Sequence, residues 1–439
     1  MQDIELSEYG ITSAEPSPVS RMMAEFANDF RDDIDINLGV GYVNEQTLPK
    51  AQIARAVQEV VAHPDAYDKP LNYGDPKGTA NLIAAIRKFE IDYCGQSETV
   101  LDRNEIIVGP NGATSLLEAI AHVLPRGIVI MPDPVYYIYA NTLERMGFEI
   151  VAVPEDAEGI RVDLLKEKLS ELGRRKDDIR FIYVVSVNNP TSTLLSNQRA
   201  GQLVSITESL CRELDRKIPL VFDKAYERLV HDPTVKPRYN ALADDTLGRV
   251  YEVSTLSKIL APGLRIGYLI GPTGPFLRAL VQKSCDVGFS APPLNQEIAG
   301  YLLNHEITVQ LDTVNAGYRQ KALKVREWIN DCFGPVMEEC RGGQAGFYYY
   351  LTLTGIATYP ESLFFKFLTR TTGDPAIDGP AGNKNPRVVY IPGIHCVHAG
   401  GDLTEKGKRQ LRISYGFEEI DRIGNAFKLL AQAIDYADA

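Results

Sequence analysis

The chain has little of what metal, redox and nucleic-acid proteins are built from. Its 439 residues include six cysteines, six histidines and one tryptophan. Cys94, Cys211, Cys285, Cys332, Cys340 and Cys396 are scattered without the paired spacing of a zinc site or a redox dithiol, and they suit reduced thiols in a cytosol. His395 and His398 flank Cys396 but read as loop residues rather than ligands, so no metal is expected. Positive charge is also in short supply. Lys and Arg number 46 against 58 Asp and Glu, a net charge of -12 that argues against a nucleic-acid partner. No apolar run is long enough to span a bilayer, and the Met1-Gln-Asp-Ile-Glu-Leu6 start has neither the basic region nor the apolar stretch of a signal peptide. A cytoplasmic protein is expected. With 44% hydrophobic and 24% charged residues, the chain can bury large cores, and its length exceeds one typical core, so two domains are expected. There is no internal repeat.

What is present is a series of short apolar strands, each ending in a chemically capable side chain. Arg249-Val-Tyr-Glu-Val-Ser254 reads as a buried strand, and Lys258 follows in the turn past its carboxyl end, where open α/β sheets place their ligands. Thr255, Ser257 and, seven residues after the lysine, Arg265 offer donors suited to a phosphate. This is a good design for a Schiff-base lysine beside a phosphate, although a surface lysine on a loop would look the same. Ile218-Pro-Leu-Val-Phe-Asp223 is a second such strand, with Tyr226 three residues on. A carboxylate closing a buried strand needs a cationic partner, which a protonated pyridine nitrogen would supply; the plainer alternative is a helix cap. Arg180 to Ser192 is a strand running into Asn189-Pro, a turn that leaves the Asn189 amide at the sheet edge. Asn104-Glu-Ile-Ile-Val-Gly-Pro-Asn-Gly112-Ala113-Thr114 is a strand and a glycine turn before a helix over 115–124, whose free backbone N–H groups make an anion site.

Read in order, these segments resemble the fold type I pyridoxal 5'-phosphate enzymes, in particular the class I and II aminotransferases. The resemblance runs from Ile36-Asn-Leu-Gly-Val-Gly41-Tyr to Leu411-Arg412-Ile-Ser-Tyr, and Ser257-Lys-Ile-Leu-Ala-Pro-Gly-Leu-Arg-Ile-Gly-Tyr268 is most similar to the aminoadipate, kynurenine and multi-substrate branch. It implies an α/β fold, in which a large domain with a mainly parallel seven-stranded sheet is covered by helices. A smaller α+β domain comes from the N-terminal arm and the C-terminal part. The implied bounds are 1–50 for the arm, 51–304 for the cofactor domain and 305–439 for the C-terminal part. It implies that Lys258 holds the cofactor aldehyde, Asp223 its ring nitrogen, and Tyr226 with Asn189 its ring oxygen. Gly112, Ala113, Thr255, Ser257 and Arg265 would surround the phosphate, Tyr136 would stack on the ring, and Tyr73 would reach the phosphate of the partner subunit in a homodimer. Gly41, Asn189 and Arg412 would receive the substrate α-carboxylate; an arginine between Leu411 and Ile413 calls for a buried anion. The substrates would be an L-amino acid and a 2-oxo acid, exchanged by a ping-pong transamination.

The chain departs from the pattern in places. Asn-Pro-Thr-Gly stands here as Asn-Pro-Thr-Ser192, and Ala113 lacks the hydroxyl of some relatives. The Gly- and Pro-rich segment 371–386 reads as a surface loop on the smaller domain, either an idle insertion or a lid. Asp286 falls, by a count from the Pro292-Pro293 pair, where dicarboxylate-specific relatives carry an arginine toward the partner's substrate, or else it ends a helix on the surface. Within the fold, a carbon–sulfur lyase, a decarboxylase or an aminocyclopropane carboxylate synthase would share the core motifs. A ligand-sensing regulatory domain is a further alternative, disfavoured by the lack of a basic helix-turn-helix segment in the first 35 residues. Beyond residue 304, a long helix is expected over 305–332, strands over 346–351, 388–391 and 410–415, and a closing helix over 420–436.

Overall fold

Alternation of short apolar runs with amphipathic segments produces, among the described residues, two main sheets and one two-stranded pair. The strands are β1 (Ile36–Asn37), β2 (Asn104–Val108), β3 (Ile128–Asp133), β4 (Glu149–Asp156), β5 (Gly159–Ile160), β6 (Ile179–Val185), β7 (Leu220–Asp223), β8 (Val250–Thr255), β9 (Gly267–Pro272), β10 (Met337–Gly342), β11 (Tyr348–Leu353), β12 (Val388–Val389), β13 (Ile391–Pro392) and β14 (Gln410–Ser414). The computed structural model describes residues 4–67, 69–380 and 382–438. The reading of Met1–Asp3 as part of the start, and Ala381 of the 371–386 segment, lie outside them.

The large sheet has the order β2-β9-β8-β7-β6-β3-β4-β5. Neighbours from β4 through β8 are parallel, and β9 runs antiparallel to both β8 and β2. Strands β3, β7 and β8 are buried along their whole length, which is why they read as continuous apolar runs. Seven strands were expected and eight are found. The eighth is the two-residue β5, which turns back on the end of β4 because Asp156 accepts the Glu158 N–H and Gly159 takes a φ of +93°.

Element ends shift for identifiable reasons. Strand β8 begins at Val250 rather than Arg249, since the N–H groups of both residues are taken by the Asp245 carboxylate. The helix expected from Ser115 begins a turn earlier and spans Gly112–Val123.

The second sheet has the order β10-β11-β14-β13, antiparallel throughout. The helices Ile307–Phe333 and Ile420–Asp438 pack against each other beside it. The expected strand over 388–391 is broken into β12 and β13, and β12 pairs in parallel with β1, joining the segment before residue 50 to the C-terminal part. The 371–386 segment folds on itself around the short helix Pro375–Asp378, whose Asp378 carboxylate accepts from Thr372 and Gly373. Arg31 grips it from outside through the Lys384 carbonyl.

Candidate active site

The carboxyl ends of the parallel strands open on one edge of the large sheet, and a cavity of about 230 Å³ lies there. Its walls include Ala113, Tyr136, Asn189, Asp223, Tyr226, Thr255, Ser257, Lys258 and Arg265, nine of the thirteen residues singled out from the sequence. Strand β7 delivers Asp223, β8 delivers Thr255, and the turn that follows β8 delivers Lys258.

Lys258 Nζ donates to the Gly41 carbonyl at 3.0 Å and faces the rings of Tyr226 and Phe347 at 5.3 and 5.7 Å. Burial, with the charges of Arg412 and Arg265, lowers its pKa to about 8, so a neutral amine is accessible near physiological pH. Asp223 is buried, and among the described residues its carboxylate accepts from the Ala225 N–H at 2.9 Å and the Tyr183 hydroxyl at 2.8 Å. Among the described residues it has no cationic partner. Burial raises its pKa against those two hydrogen bonds, so the site favours a proton or a cation at this carboxylate. A ring nitrogen carrying a proton answers that need.

At the other end is an anion cradle. The helix Gly112–Val123 starts at the cavity edge, where Ala113 and Thr114 line it, while the Gly112 N–H is taken by the Arg265 carbonyl at 2.9 Å and Gly112 itself stays behind the wall. Gly112 takes a φ of +69°, and a side chain there would meet the Arg265 guanidinium at 2.6 Å, so glycine is what admits the arginine. Asn111 holds Arg265 through its side-chain oxygen and its carbonyl. Thr255 Oγ1 lies 2.9 Å from Ser257 Oγ and donates to the Ile266 carbonyl at 2.7 Å.

Arg412 and Gly41 adjoin this cavity. The guanidinium donates to Asn189 Oδ1 at 2.7 Å and to the Gly39 carbonyl, and it lies 4.4 Å over the Tyr348 ring. It is 2% exposed, its Nε has no partner, and among the described residues no carboxylate reaches it. A buried guanidinium without a counter-ion is a receptor for a small carboxylate. Because arginine only donates, it turns the Asn189 oxygen toward itself and the amide N–H groups toward the cavity. A Cβ at Gly41 would lie 2.6 Å from the Tyr348 hydroxyl, which explains the glycine.

Two positions fall elsewhere. Tyr73 is 85% exposed and touches Phe289, away from the cavity. Asp286 ends the helix Pro275–Asp286 on the surface and accepts from Gln282 at 2.7 Å. Three residues escaped the sequence reading. Tyr348 hydrogen-bonds Tyr226 at 2.9 Å, hydroxyl to hydroxyl, Tyr183 holds Asp223, and Thr114 lines the cavity beside Tyr136. Thr114 could have been found, because it directly follows Ala113 in the glycine turn. Tyr183 is an interior strand residue and gives no such signal.

The model of the family "Aminotransferase class I and II" matches residues 33–369. The chain belongs to this family. It is an aminotransferase, and its cofactor is pyridoxal 5'-phosphate. Aromatic-amino-acid aminotransferase 1 of Thermococcus litoralis is 29% identical over 409 residues, covering 91% of this chain and 88% of that protein. An uncharacterised HTH-type transcriptional regulator of Bacillus subtilis, YisV, is 26% identical over 438 residues, covering 98% of this chain and 79% of that protein. Among solved structures, the multiple substrate aminotransferase of Thermococcus profundus superposes with a TM-score of 0.82 at 22% identity, covering 98% of this chain and 97% of that one. Among the described residues, no group of His, Cys, Asp and Glu could hold a metal, and no helix is long and apolar enough to cross a membrane.

Proposed function

We propose that the chain transfers an amino group from an L-amino acid to a 2-oxo acid in two half-reactions at the cavity around Lys258. The observation that carries this reading is a triple mismatch in one cleft. A lysine has its pKa lowered to about 8, a buried carboxylate lacks a cation, and a buried guanidinium lacks an anion. Pyridoxal phosphate and an amino acid together supply the missing partners.

When bound, the cofactor supplies an electron sink for the charge left on the substrate α-carbon and a store for the amino group. Lys258 would hold it covalently, and its amine, when free, is the base placed to carry the α-proton. Asp223 keeps the ring nitrogen protonated, Tyr226 and Asn189 donate to the ring oxygen, and Tyr136 covers the ring. Gly112, Ala113, Thr255, Ser257 and Arg265 bind the phosphate. Arg412, Gly41 and Asn189 orient the α-carboxylate, so the Cα–H bond is presented to Lys258.

On the substrate side, the rings of Tyr226 and Phe347 lie beside the Lys258 amine and that of Tyr348 beneath the Arg412 guanidinium. A neutral or aromatic donor fits this side. The relatives' names, aromatic-amino-acid and multiple substrate aminotransferase, support the same class. We further propose a cytoplasmic homodimer in which residues 51–304 form the cofactor domain.

Borohydride reduction followed by peptide mapping tests the anchor. The label is expected on Lys258, and Lys258→Ala should lose transamination by about a thousandfold or more. The competing residue is Lys224, which follows Asp223 but is locked in ion pairs with Glu227 and Glu252 at 3.1 and 3.0 Å. A label there, or on any other lysine, overturns the assignment.

A further inference from the structure

Asn189 sits at the centre of the site, yet nothing in its own strand fixes it, because β6 ends four residues earlier at Val185. The turn that carries it, residues 188–193, is buried throughout and unusually polar: Asn188, Asn189, Thr191, Ser192 and Thr193 are all at most 7% exposed. Buried polar side chains in a turn need partners. One carboxylate serves this turn. Glu155, near the end of β4 and itself buried, accepts from Asn188 Nδ2 at 2.8 Å, and that same amide nitrogen donates to the Pro134 carbonyl. The hydroxyls of Thr191 and Thr193 face the same carboxylate and oppose the rise that burial imposes on its pKa. The Thr193 hydroxyl makes no hydrogen bond among the described residues, so its influence on Glu155 is electrostatic.

The remaining donor to Glu155 comes from the other sheet. Arg341 Nη1 on β10 reaches Glu155 at 3.3 Å, while its Nε is held by Glu339 at 2.6 Å. In the register of that sheet Arg341 stands opposite Tyr350, and Tyr350 stands opposite Arg412. The two arginines therefore share one row, two strands or roughly 10 Å apart, with side chains on the same face. Both grip the same turn, Arg412 directly through Asn189 Oδ1 and Arg341 through Glu155. The turn's last anchor is again on this sheet: Ser192, in the left-handed region at φ +50°, accepts the Tyr348 N–H at 3.2 Å.

We propose that Glu155 is a positioning residue for the reaction: it fixes the turn that presents Asn189 and, through Arg341, ties that turn to the strand row that presents Arg412. A plain structural ion pair would contribute to stability alone. A positioning role also sets how well the Asn189 amide donates to the cofactor's ring oxygen and how Arg412 meets the substrate carboxylate. The inference rests on Asn189 facing that ring oxygen, as proposed above.

The test uses the cofactor-loaded enzyme and reads three quantities: the pH midpoint of the visible absorption change, the KM for the amino acid against kcat, and the melting temperature. A displaced amide donates less well and leaves the ring oxygen more basic. Glu155→Gln should therefore move the midpoint up by about one pH unit and raise KM about tenfold, with a smaller fall in kcat. Thr191→Val, which removes one hydroxyl at constant shape, should move both in the same direction by less, and it decides the matter if the glutamine variant does not fold. Arg341→Met should act mainly on KM. Variants with a lowered melting temperature but wild-type midpoint and KM overturn the proposal. Asn189→Ala is the control. If it leaves the midpoint unmoved, the assigned place of Asn189 fails and this inference with it; if it shifts the midpoint while the Glu155 and Thr191 variants do not, only this inference fails.

Discussion

Lys224 and Lys258 follow the ends of adjacent strands and are held in opposite states. Burial disfavours charge on both, but Glu227 and Glu252 more than repay it at Lys224, whereas Lys258 has a backbone carbonyl and two aromatic rings against two arginines, and no carboxylate among the described residues. The apo-protein should therefore bind the cofactor covalently at a rate that rises about tenfold per pH unit and levels above pH 8, as stopped-flow absorbance would record. Asp133, at the end of β3, shows the acidic counterpart. Its Oδ1 accepts the His398 N–H at 3.0 Å, its Oδ2 has no partner among the described residues, and burial raises its pKa to about 7. A raised carboxyl pKa means that the fold favours the neutral form. Its contribution is fully present below the ordinary carboxylate range near 4 and is lost as pH rises through 7. A shift of roughly three units corresponds to about 4 kcal/mol at most. Asp133→Asn keeps the acceptor and removes the titration. It should melt above the wild type at pH 8, with the gap closing toward pH 4; a gap independent of pH would mean that Asp133 is ionised throughout.

Elements meet at the site through close backbone approaches. Strand β9 passes behind the start of the helix Gly112–Val123, and a Cβ at Gly267 would lie 2.2 Å from the Ala113 nitrogen and 2.3 Å from the Gly112 carbonyl carbon. Neither is a side chain that can swing away. Gly267→Ala should therefore push the helix start off the anion cradle, costing about 1–3 kcal/mol of stability and at least about tenfold in cofactor affinity. Gly263→Ala, four residues before the strand with nothing within 4 Å, is the control and should change neither. Melting curves and cofactor titrations of the two variants decide it. The sequence made this region readable because strands β7 and β8 stop at a polar residue, so Asp223 and Thr255 announce themselves by position, and Asn189 by the Asn-Pro turn four residues past the end of β6. It did not reveal Tyr348. Three consecutive tyrosines, Tyr348 to Tyr350, look alike in one dimension, and only strand pairing shows that Tyr348 and Tyr350 share a face while Tyr349 turns away to the Ala322 carbonyl. Glu155 was hidden for a related reason, since its partners lie 33 and 186 residues away and no local period encodes them.

At the scale of the whole molecule, one chain accounts for most of the site but leaves Tyr73 outside it. Tyr73 is exposed, next to the exposed Leu71, and its ring neighbour Phe289 holds a φ of +72° beside the exposed Val287. Apolar residues gathered on a surface that no element of the chain covers fit an interface with a second copy, in which Tyr73 reaches the partner's phosphate cradle. Defective chains can then rescue each other. A Tyr73→Ala chain keeps Lys258 and lacks the reaching tyrosine; a Lys258→Ala chain has the reverse defect. In a hybrid dimer one site receives Lys258 from the first chain and Tyr73 from the second, and is complete, while the other site is doubly defective. Random reassociation makes about half of the dimers hybrid, so an equal mixture should recover roughly a quarter of the wild-type sites. Neither variant alone should approach that level: Lys258→Ala lacks the base, and Tyr73→Ala should hold the phosphate more weakly and need more cofactor. Recovery should follow the rate of subunit exchange and disappear if the chains are cross-linked before mixing. A mixture no more active than the average of its components, or a fully active monomer in sedimentation, would show that each chain completes its own site.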